Sequence, residues 1–212
     1  GQDGTDAFTV NSASSSTISL DGGTGTDSLS VAVSDGTANS VMISGAGSGN
    51  LGNVSFSGME SIALGSGGDT ATVSGGGSLS SNLDLGSGNN TLTFSSGAGS
   101  VGSVTSGSGT DTITISGGSV TGAVNAGDGS NSLTISGTSS SIGSYTGGAG
   151  TDSLTLSGGG VTGSVDLGAG SNTLLLSSTS STIGGAVAFG AGSADSLSYA
   201  GYSSAVSVSL SS

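Results

Sequence analysis

The residues of this chain with any capacity for chemistry are its carboxylates, and they recur. An Asp or Asn follows a glycine turn at positions 6, 27, 69, 90, 111, 131, 152, 172 and 195, at steps of 21, 42, 21, 21, 20, 21, 20 and 23 residues. A Gly-x-Gly-x-Asp turn sets backbone carbonyls beside a carboxylate, which is an all-oxygen donor set of the kind calcium takes. Where Asn holds the anchor, an acid stands close by: Asp84 ahead of Asn90, Asp128 ahead of Asn131 and Asp166 ahead of Asn172. The candidate metal ligands are Asp6, Asp27, Asp69, Asp84, Asp111, Asp128, Asp152, Asp166 and Asp195, and the candidate cofactor is calcium. Asp and Asn also cap turns through bonds to their own backbone, and Asn ladders stabilise stacked chains. Spacing alone leaves both readings open.

The rest of the composition narrows the chemistry. The 212 residues include 13 acids and no Lys, Arg, His, Cys, Pro or Trp, for a net charge of −13. Without His, Cys or Lys the usual general bases and strongest nucleophiles are missing, and without Arg or Lys no side-chain cation can stabilise an oxyanion. The chain is expected not to be an enzyme. Nucleic acid is excluded as a partner, because its affinity comes largely from cationic contacts to phosphate. Anionic membranes are disfavoured, and no apolar run is long enough to span a bilayer, so membrane insertion is not expected. Soft and imidazole-bound metals lack ligands, which leaves hard, oxygen-seeking cations.

These acids must be positioned by a repeated element. Each anchor opens a stretch of alternating polar and apolar residues, as in Asp27-Ser28-Leu29-Ser30-Val31, Asp111-Thr112-Ile113-Thr114-Ile115 and Asp152-Ser153-Leu154-Thr155-Leu156. A second apolar pair follows in most repeats, for example Val120/Val124, Ile142/Tyr145 and Val161/Val165. Period-two alternation marks strands, and self-similarity at this length marks a solenoid. The expected fold is all-β: a parallel β-solenoid (β-roll or β-helix) with about 20–21 residues per coil, reading turn, strand, turn, strand. Alternation of Asp and Asn at the anchor gives a two-coil superrepeat of 41–43 residues. The apolar residues are expected to share one face, with Ser, Thr and Asp on the other. Ten coils at about 4.8 Å give a rod of roughly 48 Å. Residues 1–212 read as a single solenoid, with degenerate coil(s) over 32–64 and the step of 42 counted as two coils. The chain begins within the pattern, at Gly1-Gln2-Asp3-Gly4-Thr5-Asp6, and is expected to be a fragment of a longer protein.

Gly22-Gly23-Thr24-Gly25-Thr26-Asp27-Ser28-Leu29-Ser30 and Gly147-Gly148-Ala149-Gly150-Thr151-Asp152-Ser153-Leu154-Thr155 fit a glycine- and Asp-bearing nonapeptide at every position. In these stretches the chain resembles the RTX-like (hemolysin-type) calcium-binding repeat proteins, as in bacterial surface-layer proteins and large secreted adhesins. Phe56–Gly65 and the stretch from Asp195 through Val206-Ser207-Val208-Ser209-Leu210 are similar to the spacers of such proteins. The family's β-roll carries two nonapeptides per coil, whereas here each coil has one glycine-Asp turn, which implies one line of ions. The resemblance implies folding driven by external calcium after secretion, and a location outside the cell or on the bacterial cell surface.

The functional expectation is a structural, calcium-stabilised extracellular module of a bacterial surface layer, surface filament or adhesin. It would associate with copies of itself in a lattice or fibre, or act as a stiff spacer. The alternative is a calcium-dependent ice- or glycan-binding solenoid working through its Ser/Thr face, where pairs such as Thr70/Thr72, Thr91/Thr93 and Thr112/Thr114 would stack into a hydroxyl array.

Overall fold

Alternating Thr/Ser and Val/Ile/Leu residues favour a pleated strand with one wet and one dry face, and the positive-φ glycines between them end each strand after a few residues. The computed structural model describes residues 3–11, 17–32, 36–192 and 194–202. The spacer-like segment around Val206–Leu210 lies outside the described residues. The fold is an all-β parallel solenoid of about nine turns, one fewer than the ten expected from the repeat, and at about 4.8 Å per turn it is roughly 43 Å long. No helix among the described residues is long and apolar enough to cross a membrane.

Two sheets of eleven strands form the walls. In the regular part the strand after each Asp or Asn belongs to the first sheet: Thr70–Val73, Thr91–Phe94, Thr112–Ile115, Ser132–Ile135, Ser153–Leu156 and Thr173–Leu176. These strands are parallel and in register, so Ala71, Leu92, Ile113, Leu133, Leu154 and Leu174 stack in one file. The second sheet takes the other strand of each coil, including Leu79–Asp84, Ser100–Thr105, Ser119–Asn125 and Ser141–Thr146. A register shift inside each of these pairings sets the longer spacing of the apolar pairs, such as Val120 and Val124. Leu92, Phe94, Ile113 and Ile115 of one wall and Val101, Val104, Val120 and Val124 of the other are all buried. Each such side chain stabilises by about 1.5–3 kcal/mol, and a coil holds only a few. A coil therefore depends on its neighbours, as in other repeat folds.

The backbone ladder continues around the glycine turn. The Gly88, Gly109, Gly129 and Gly150 amides donate to carbonyls of Ser108, Asp128, Ala149 and Ala169 at 2.7–2.9 Å. This stacking is why two turn positions are glycine in coil after coil. At Gly86 (φ +75°) and Gly88 (φ +119°) a Cβ would collide with the carbonyl oxygens of Gly65 and Gly67 in the preceding coil.

The step from Asp27 to Asp69 is not two plain coils. The strands after Asp6 and Asp27, Ala7–Val10 and Ser28–Val31, lie in the second sheet. Ser28–Val31 pairs with Ser61–Ala63, which pairs in turn with Leu79–Asp84. In the first sheet, antiparallel strands Ser40–Gly45, Ser48–Leu51 and Val54–Ser57 are spliced between Ile18–Asp21 and Thr70–Val73. The first two copies of the repeat are thus out of phase with the later ones by one wall. The aligned sequences are alike, but the insertion moves the chain from one corner of the coil to another.

Candidate functional site

Parity along the strand decides where the anchor points. Asp111 is two residues before Ile113 and four before Ile115, so all three share a side of the strand. The expectation that Asp lies with Ser and Thr on the wet face is corrected accordingly. Asp27, Asp69, Asp111 and Asp152, together with Asn90, Asn131 and Asn172, are between 0 and 3 % exposed.

These side chains form a column linked by one repeated hydrogen bond. Each backbone N–H donates to the side-chain oxygen of the Asp or Asn in the next coil. Asn39 donates to Asp69 Oδ1 at 2.6 Å, Asp69 to Asn90 Oδ1 at 2.9 Å and Asn90 to Asp111 Oδ1 at 2.8 Å. The Asp111 amide donates to Asn131 Oδ1 at 3.0 Å, and the bonds from Asn131 to Asp152, Asp152 to Asn172 and Asn172 to Asp195 are each 2.9 Å. At the other corner Asp6 donates to Asp27 Oδ1 at 2.8 Å and Asp27 to Glu60 Oε2 at 2.6 Å. Sequence reading missed Asn39 and Glu60. Both had a signal, since Asn39-Ser40-Val41-Met42-Ile43 and Glu60-Ser61-Ile62 continue the alternation.

From Asn39 to Asp195 the main column alternates Asn and Asp without a break. Two carboxylates in adjacent coils, about 4.8 Å apart, would repel by about 3.5 kcal/mol at an effective dielectric near 20, and about half that two coils apart. Alternation halves this repulsion but does not remove it.

The other predicted ligands are elsewhere. Asp84 and Asp166 accept the N–H groups of Gly86 and Gly168 at 3.0 Å, the local turn cap open to an Asp two residues upstream. Asp128 is exposed and accepts the Ala149 N–H at 3.1 Å. Asp6 is half-buried and Asp195 exposed at opposite ends of the corner columns. No group of three or more acidic side chains converges among the described residues.

What the column lacks is positive charge. Oδ2 of Asp27, Asp111 and Asp152 is buried without a hydrogen-bond partner. Beside Asp152 the chain passes close with no side chain: a Cβ on Gly147 would lie 2.7 Å from Asp152 Oδ2 and 2.5 Å from the Leu167 carbonyl. At Gly22 the same missing Cβ would meet Asp27 Oδ2 and the Gly58 carbonyl. Ser106 Oγ and Tyr145 Oη are also buried without partners. Burial raises the carboxyl groups of Asp111 and Asp152 above the ordinary range, against hydrogen bonds from Asn90 and Asn131 that lower them. Burial likewise raises the Tyr145 phenol, with the Asp152 charge adding to the effect. Orphaned carboxylate oxygens, with a backbone carbonyl close by at Asp27 and Asp152, fit a hard cation such as calcium.

No family model, curated protein or solved structure matches this chain. Its function therefore has to be read from the column and the walls that carry it.

Proposed function

We propose that this chain is a calcium-stabilised structural module, a stiff rod serving as a spacer or lattice element of a surface layer, filament or adhesin outside a bacterial cell. The observation that carries this reading is the set of buried, unpartnered carboxylate oxygens at Asp27, Asp111 and Asp152 in a chain with no cationic side chain. A buried charge without a partner costs several kcal/mol, and a bound calcium would supply the missing positive charge. Asp27, Asp111 and Asp152 would hold it with backbone carbonyls. The uniform stacking of in-register strands supports a mechanical role, as does the absence of any Lys, Arg, His or Cys for catalysis. Extracellular calcium-binding modules have dissociation constants on the order of 0.1–1 mM, the range expected of sites with few carboxylates. The test is thermal unfolding by circular dichroism with calcium, with magnesium and with chelator. The reading predicts a large rise in melting temperature with calcium and a small one with magnesium.

A second reading rests on a separate observation. Thr72, Thr93, Thr114, Thr134 and Thr155 stand in register along the outer side of the first sheet. This flat hydroxyl file would suit an ordered polar surface such as ice or a glycan. Met42 and Leu175 occupy the same file toward its two ends and shorten it. Thermal hysteresis and glycan-array binding test this reading, and a blank in both removes it.

A further inference from the structure

We infer that the column contains one kind of seat filled in two ways, by the side-chain amide in the Asn coils and by a single bound cation at Asp27, Asp111 and Asp152. This inference rests on the calcium reading and adds which coils take ions, how many, and what an isosteric exchange does.

The Asn coils show the seat filled. Asn90 Nδ2 donates to the carbonyls of Gly86, Gly88 and Ser106, each at 3.2 Å. Asn131 Nδ2 donates to Gly127 at 3.0 Å and Gly147 at 3.4 Å. Asn172 Nδ2 donates to Gly168 at 3.0 Å and Phe189 at 3.2 Å. In each case one branch of the side chain takes the backbone N–H of the preceding coil, and the other neutralises a cradle of carbonyl oxygens.

In the Asp coils the first branch is unchanged. The second branch is an oxygen, which cannot donate to carbonyls. Its environment differs in one further respect. The residue five positions before the anchor is Gly22, Ser106 or Gly147 in these three coils, and Leu85, Ala126 or Leu167 in the Asn coils. Gly22 and Gly147 put no side chain there, and a Cβ at either would lie 2.7 Å from the orphaned oxygen of Asp27 or Asp152, while Ser106 brings a hydroxyl that is itself buried without a partner.

Asp69 is set apart by the same criteria. Leu64 fills the position five before it, and Asn39 Nδ2 donates to its Oδ1 at 3.0 Å. Asp84, Asp128 and Asp166 cap backbone N–H groups. The expected count is therefore three ions among the described residues.

The experiment compares the full chain with Asp152→Asn and with Asp111→Asn/Asp152→Asn. Bound calcium is counted by isothermal titration with calcium chloride and by elemental analysis after dialysis, and melting is followed in chelator. The expected counts are three for the parent, two for the single variant and one for the double. In chelator each exchange raises the melting temperature by about 2–6 °C, because the new amide fills the seat from within. A parent that binds no calcium overturns both this inference and the calcium reading. A parent that binds calcium while Asp152→Asn keeps the full count, melts lower in chelator or does not fold overturns this inference alone.

Discussion

The Asp111 amide donates to Asn131 Oδ1 at 3.0 Å, and the Asn131 amide donates to Asp152 Oδ1 at 2.9 Å, so acid and amide play the same part in successive coils of a buried column. The column joins each coil to the next independently of the backbone ladder. It also places ionisable groups in the interior of a protein that has no side-chain cation to offset them.

Stability should depend on pH with opposite signs in the two ionic conditions. The Asp111 and Asp152 carboxyls are raised by burial in the fold. Without calcium the folded chain holds protons that the unfolded chain has released, so stability falls as pH rises from about 4 toward the raised values. With calcium bound, protons compete with the ion for the same oxygens, and stability should rise with pH over that window. Urea unfolding between pH 4 and 8, in chelator and in calcium, measures both slopes.

Truncating an amide member of the column should cost more than an ordinary surface substitution. Asn131→Ala removes the acceptor of the buried Asp111 N–H and the donor to the Gly127 and Gly147 carbonyls. An unsatisfied buried group costs about 1–3 kcal/mol. Chemical denaturation should show a loss of at least that size, present with or without calcium.

Glycines in the turn should divide by what lies beneath them. Gly76 (φ +84°) has nothing within 4 Å of a new Cβ, while at Gly88 (φ +119°) the Cβ would strike the Gly67 carbonyl. Gly76→Ala should cost about 1–2 kcal/mol from backbone conformation alone. Gly88→Ala adds about 1–3 kcal/mol of overpacking. The two melting curves should differ accordingly.

The outer hydroxyl file should be dispensable for folding. Thr93 and Thr114 are half-buried on the outer side of the first sheet. Thr→Val at both positions keeps the β-branched shape and should change stability by less than about 1 kcal/mol. Thermal hysteresis of the same variant reports on the second functional reading without confusion from unfolding.

Most of the architecture was legible in the residues. Leu154 and Leu156, or Ile113 and Ile115, announce a strand by alternation, and the recurrence of Gly-x-Gly before the anchor announces the coil. Two matters were not read correctly. The inward aim of Asp111 was present in its parity with Ile113, but an acid is normally assigned to water, and the acceptor role of its Oδ1 toward the Asn90 backbone N–H appears only once the coils are stacked. The change of wall between Asp27 and Asp69 leaves no trace in the repeat itself, because Ser28–Val31 and Thr70–Val73 have the same pattern and differ only in the strands they pair with. Which carboxylates stand alone depended on three-dimensional neighbours such as Asn39 and Glu60, which lie 30 and 33 residues from the aspartates they bond.

The most direct test of the central claim is the melting temperature of the purified chain at neutral pH, in chelator and in about 1 mM calcium, the extracellular range. If the buried carboxylates hold calcium with a dissociation constant of about 0.1 mM, each site at tenfold excess adds about 1.4 kcal/mol. The melting temperature should then rise by about 5 °C or more, with magnesium giving a much smaller rise. Superimposable melting curves in chelator and calcium, with no heat of binding, would contradict the account. The interior aspartates would then be neutral acids standing in for Asn.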